Sequence, residues 1–199
     1  MAADQKQRIN LDRTSVLLME DSPLALDILV QVLTGFGIQN FHRCSNVDEA
    51  KKVANDAPVD LMLVAAIMPD GETGFDFVNW LRRAKLQPNS FCPVIMLSGH
   101  TQQSRVKQAR DCGANFIVAK PLTTAVLLER ILWVSREKRP FIETDNYLGP
   151  DRRFKNAGPP PGTDGRRRDD LPLEVGEATM PNMSQDHIDT FVSPLRINL

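Results

Sequence analysis

Asp60-Leu-Met-Leu-Val-Ala65-Ala-Ile-Met-Pro69-Asp-Gly71 is the stretch on which the fold turns. An apolar run opens directly after one acidic residue and closes in a proline and a glycine. Such a run, bounded by turn chemistry and without polar alternation, predicts a strand buried on both faces at the centre of a parallel sheet.

Outward from it, short apolar or β-branched runs recur at 15–19, 40–43, 94–97 and 116–119, with the central strand itself read as 60–64. Stretches of helical period lie between them. The first helix opens with Ser22 as N-cap and Pro23 at the first helical position, places Ala25, Ile28, Leu29, Val32 and Leu33 on the face meant for the sheet, and ends near Gly35 and Gly37. Later helices are expected over 47–55, 73–84, 101–112 and 123–134, the last setting Leu127 and Leu128 against Ile131 and Leu132. Five βα units in succession define an α/β chain with a five-stranded parallel sheet.

With 199 residues there is room for one common-sized domain and an appendage. The expected division is a flexible 1–13, a domain over 14–138 and an extension over 139–199. Eight of the fourteen prolines lie in the last sixty residues, so most of that extension is expected to be disordered. A net charge of −1 gives no general attraction to nucleic acid or anionic lipid. No run approaches the ~18 apolar residues of a membrane span, and the first ten residues lack a signal-peptide core, which predicts a cytoplasmic protein without membrane attachment. Cys44, Cys92 and Cys112 are odd in number and widely spaced in or beside apolar segments, as reduced core thiols are.

In open parallel sheets the functional residues follow the strands. Here those residues are Glu20 and Asp21 after the first strand, Ala65 to Pro69 after the third, Ser98 and Gly99 after the fourth, and Lys120 and Pro121 after the fifth. Two carboxylates, a hydroxyl and an ammonium converging on one crevice suit a hard cation and a phosphoryl group. Each element alone is ordinary loop chemistry, and the signal is their conjunction.

This set resembles the response-regulator receiver family of bacterial two-component pathways, through Leu-Met-Glu20-Asp21-Ser22, the stretch from Asp60 to Gly71, Ile-Met-Leu-Ser98-Gly99 and Ala119-Lys120-Pro121. The resemblance implies a flavodoxin-like (βα)5 receiver with strand order 2-1-3-4-5. It implies that Glu20, Asp21 and the backbone carbonyl of Ile67 hold Mg²⁺, that Ser98 is the switch hydroxyl, that Lys120 pairs with phosphate, and that the Lys120–Pro121 bond is cis. Two positions depart from the family. Its phosphoacceptor aspartate falls on Ala65, whose methyl group can neither attack a phosphohistidine nor complete a Mg²⁺ shell, so cation binding is weakened. Asp60 opens the strand about 16 Å away and does not substitute for it. Its aromatic switch position is Ile117, with Phe116 turned to the other face.

The function so implied is a receiver in a phosphorelay, not an enzyme. It would be served by a histidine kinase or phosphotransfer protein and act through protein contacts on the face of the fourth helix, fifth strand and fifth helix, or through the tail. With Ala65, phosphotransfer is blocked. The alternative is a pseudo-receiver that docks partners independently of phosphorylation. A flavodoxin-like FMN enzyme is disfavoured, because Glu20 and Asp21 would repel a phosphate after the first strand.

In the extension, Arg152, Arg153 and Arg166 to Arg168 could bind a cyclic dinucleotide or nucleic acid, but Asp151, Asp164, Asp169 and Asp170 beside them favour a solvated linker. No helix-turn-helix pattern follows the domain, so no DNA-binding module is expected. A short terminal helix is a candidate over 184–193, with Ser184 as N-cap and Ile188, Phe191 and Val192 on one face. It resembles the Ser-Gln-x-x-Ile-Asp segment with which a flagellar motor switch protein docks on chemotaxis receivers. That likeness implies a segment folding onto a receiver surface, its own or a partner's.

Overall fold

A computed structural model describes residues 11–69, 73–136, 140–144, 147–151, 182–185 and 188. The order of elements is β1 (Ser15–Met19), α1 (Pro23–Gly35), β2 (Asn40–Cys44), α2 (Val47–Asp56), β3 (Leu61–Ala65), α3 (Gly74–Arg83), β4 (Val94–Ser98), α4 (Gln103–Asp111), β5 (Phe116–Ala119), α5 (Thr124–Arg136), β6 (Phe141–Thr144) and β7 (Tyr147–Pro150). Strands β1 to β5 form one parallel sheet in the order β2-β1-β3-β4-β5, as expected. Every residue of β3 and β4 is buried, which is why those strands carry no polar alternation.

Local chemistry sets the helix starts. Ser22 Oγ accepts the Ala25 N–H at 3.3 Å ahead of Pro23, as the sequence predicts. Asn46 caps α2 through the Glu49 N–H at 2.9 Å. Thr73 and Asp76 form a reciprocal capping box on α3.

Several expectations are corrected. The buried face of α1 is Leu26, Leu29 and Leu33, whereas Ile28 is 52% exposed. Both stripes have helical spacing, and only the docking angle on the sheet selects between them. Strand β3 runs through Ala65 rather than ending at Val64. Of the stretch 1–13, residues 1–10 lie outside the described residues, but Leu11 is buried and its carbonyl accepts the Thr14 N–H at 3.0 Å, so ordered structure starts before residue 14. At the other end, the β6–β7 antiparallel hairpin was not anticipated in the extension. The clusters of Arg152, Arg153 and Arg166 to Arg168 fall outside the described residues, as do Phe191 and Val192.

The hairpin packs against Arg82. This side chain is buried and donates to the carbonyls of Gly113 (3.0 Å), Ser90 (2.8 Å) and Cys92 (2.8 Å) and to Asn115 Oδ1 (3.2 Å). Its guanidinium also stacks over the Phe141 ring of β6, 5.1 Å from the centroid. Burial lowers its pKa to about 10, so it remains charged at neutral pH. A side chain at Gly113, where φ is +97°, would meet the Leu148 carbonyl of β7 at 2.7 Å, so glycine permits both the turn and the approach.

Cys44, Cys92 and Cys112 are free, buried thiols, as the sequence suggests. Desolvation pushes each to about 12.

Candidate functional site

Strand register gathers the predicted residues at the carboxyl edge of the sheet. Pairing of Met19 with Val64 brings Glu20 level with Ala65. Pairing of Ala65 with Leu97 and of Ser98 with Ala119 places Ser98 and Lys120 at the next rungs. The ladder continues past the strand ends, with Glu20 N–H to Cys44 O at 3.1 Å, Ala66 N–H to Leu97 O at 2.9 Å and Lys120 N–H to Ser98 O at 2.8 Å. Backbone hydrogen bonding thus fixes the base of all these side chains except that of Asp21, which is exposed in the turn before α1.

Lys120 Nζ donates to Glu20 Oε2 at 2.5 Å, and the Lys120–Pro121 bond is cis. Burial raises the Glu20 pKa above its ordinary 4.5; the Lys120 ion pair opposes that rise and neighbouring Asp21 adds to it. Ser98 is buried and its hydroxyl is engaged within its own loop: Oγ donates to His100 O at 2.7 Å and accepts the His100 N–H at 3.1 Å. Ala65 is 2% exposed beneath these groups, and Ile67 lies two residues further along the same loop.

Asp60 is at the opposite end of the sheet. Its Oδ2 accepts the Ser15 N–H at 2.8 Å at the start of β1, so this carboxylate cannot act for position 65. At the family's aromatic switch position Ile117 is buried, while Phe116 faces α5 and meets Trp133 edge-on at 4.9 Å.

One residue at the site went unread in the sequence. Gly74 opens α3, and a Cβ there would come within 2.0 Å of the Ala65 carbonyl. Its N–H donates to Ala66 O at 3.1 Å. The start of α3 therefore crosses directly against the end of β3, an approach only glycine allows. Its position immediately after the helix cap Thr73 was the available signal.

A hard divalent cation at this edge would meet the carboxylates of Glu20 and Asp21 and the Ile67 carbonyl, with Lys120 competing for Glu20. No group of three or more His, Cys, Asp or Glu side chains able to hold a metal occurs among the described residues. These oxygen donors are of the kind that suits a hard divalent cation such as Mg²⁺.

Residues 16–132 match the family model of the response regulator receiver domain. The chain is 31% identical over 141 residues to the transcriptional regulatory protein KdpE of Mycobacterium tuberculosis, covering 67% of this chain and 59% of that one. It is 26% identical over 118 residues to the two-component response regulator ORR1 of rice, covering 55% of this chain and 50% of that one. The chain thus spans only half to three fifths of these relatives, which are plant as well as bacterial. Among solved structures, the chemotaxis protein CheY4 of Vibrio cholerae superposes with a TM-score of 0.56 at 26% identity, covering 61% of this chain and 98% of that one. A parallel sheet in this order, with an acidic pair, a hydroxyl and a lysine at its carboxyl edge, defines a two-component receiver module. The chain belongs to the response regulator receiver family.

Among the described residues no helix is long and apolar enough to cross a membrane.

Proposed function

We propose that this receiver signals through protein contacts and that phosphoryl transfer into it is blocked at Ala65. The observation that carries this reading is the Lys120–Glu20 pair at 2.5 Å in a crevice whose central position, Ala65, has no nucleophile. Pocket groups that would position a phosphoryl group are retained, while the group that would accept it is a methyl. Upstream partners would be a histidine kinase or a phosphotransfer protein, and Mg²⁺ would bind weakly at Glu20, Asp21 and the Ile67 carbonyl. Ser98 and Lys120 would have the positioning roles that the family gives them, and no chemistry of an enzyme is assigned. Output would pass through the α4–β5–α5 face or the tail.

The second reading is a docking module independent of phosphorylation, favoured by the occupation of the α4–β5 region by residues of the tail. Incubation of the protein and of Ala65→Asp with acetyl phosphate and Mg²⁺, followed by intact-mass measurement, separates the two. Labelling of Ala65→Asp alone supports a receiver silenced at one position. Labelling of neither form leaves the docking module.

A further inference from the structure

Residues 182–185 and 188 lie against the receiver's own surface, and their contacts are specific. Thr101 and Met183 share two hydrogen bonds, one of them through a side chain: Met183 N–H donates to Thr101 O at 2.9 Å, and Thr101 Oγ1 donates to Met183 O at 2.7 Å. Asn182 closes the loop before α4, its Oδ1 accepting the Thr101 N–H at 3.1 Å and its Nδ2 donating to Gly99 O at 3.3 Å. Thr101, two residues before α4, is buried.

Strand β5 is the edge of the sheet, so its outer backbone groups need partners. The Gln185 carboxamide supplies both kinds: Oε1 accepts the Ala119 N–H at 2.8 Å, and Nε2 donates to Ile117 O at 3.5 Å. One turn later Ile188 is completely buried in the apolar cluster of the receiver core, its N–H bonded to Ser184 O at 3.0 Å as in a helix. A carboxamide read by a strand edge and a β-branched side chain three residues on, filling an apolar seat, make a peptide-recognition site.

We infer that this chain's own residues 182–185 and 188 are the resident occupant of the face formed by the β4–α4 loop and β5 edge, and that they exclude from it partner segments carrying Gln-x-x-Ile. The inference deepens the reading of output through this face and rests on it for its signalling sense. The loop clamped at Gly99 and Thr101 is the one in which Ser98 Oγ turns to His100, so occupant and pocket share one loop.

The test uses the full chain and its Gln185→Ala/Ile188→Asp variant, both verified as folded by circular dichroism. Amide exchange at Ala119 is measured in each, and a fluorescent synthetic peptide of residues 180–192 is titrated into each. Ala119 should exchange about tenfold faster in the variant, and the peptide should bind the variant about tenfold more tightly than the parent. Equal exchange in the two proteins, equal peptide affinity, or no binding to the folded variant overturns the inference. So does protection of Ala119 that grows with protein concentration over an about twentyfold range, which would mean occupancy by a second copy. None of these failures bears on acetyl phosphate labelling, which tests the receiver reading by itself.

Discussion

Lys120 and Glu20, 100 positions apart in the chain, meet at 2.5 Å across the carboxyl edge of the sheet. The cation that would face a phosphoryl group is thereby held by the carboxylate that would face a metal. The pair also fixes a pH dependence. Burial holds the Glu20 pKa above 4.5 in the folded protein in spite of Lys120. Between 4.5 and that raised value the folded state binds more protons at this site than the unfolded state, so the contribution of Glu20 to stability falls as pH rises through the window. In chemical denaturation, the stability of the parent relative to Glu20→Gln should therefore be greater at about pH 4 than at about pH 7.5. The opposite sign would mean that the ion pair outweighs burial.

Restoring a carboxylate at position 65 should change cation binding as well as phosphorylation. Ala65→Asp adds a third acidic group beside Glu20 and Asp21 in a nearly solvent-free position, where like charges about 4 Å apart repel by about 4 kcal/mol at an effective dielectric of 20, before solvation is counted. Most of that is recovered by solvation and proton uptake, leaving a loss of about 1 kcal/mol in metal-free stability. Calorimetric titration should show Mg²⁺ binding at least about tenfold tighter in Ala65→Asp, and Mg²⁺ should reverse its loss of stability. A variant more stable than the parent without Mg²⁺ would refute the repulsion.

Gly74→Ala should destabilise the receiver by about 1–3 kcal/mol, because the new methyl group would overlap the backbone carbonyl of Ala65 at 2.0 Å and α3 would have to shift. Urea denaturation reads this directly, and a neutral result would show that the helix start yields without cost.

Arg82 makes a similar case for the hairpin. Arg82→Lys keeps the charge but cannot satisfy the carbonyls of Gly113, Ser90 and Cys92 together with Asn115. A loss of about 3 kcal/mol is expected from buried acceptors left without donors. A chain ending at residue 138 should also unfold at lower denaturant than one ending at 151, since Phe141 and Leu148 no longer cover Arg82 and Gly113. Equal midpoints would place the hairpin outside the cooperative unit.

The three cysteines should resist a thiol reagent at about pH 8 in the folded protein. With pKa values pushed to about 12, only about one thiol in ten thousand is ionised, and all three are buried. Rapid reaction of all three should follow denaturation, whereas fast labelling of the native protein would contradict their burial.

The receiver architecture and most of its site were determined by the sequence alone, because they rest on signals confined to single segments. Apolar runs at Leu61–Ala65 and Val94–Ser98 demand burial on both faces, and the residues that follow parallel strands must share one edge whatever the details of packing. The adjacency of Glu20, Ala65, Ser98 and Lys120 thus follows from the order of the strands in the sequence pattern alone. Segment-level signals could not choose between two equally periodic faces of α1, and the docked angle exposes Ile28 while burying Leu26. Nor could they show that Arg82 needs acceptors 31 positions away at Gly113, or that Thr101 is met by Met183 from 82 positions along. In those cases the stabilising partner is remote in sequence, and only the closed tertiary structure brings the buried donor and its acceptor to hydrogen-bonding distance.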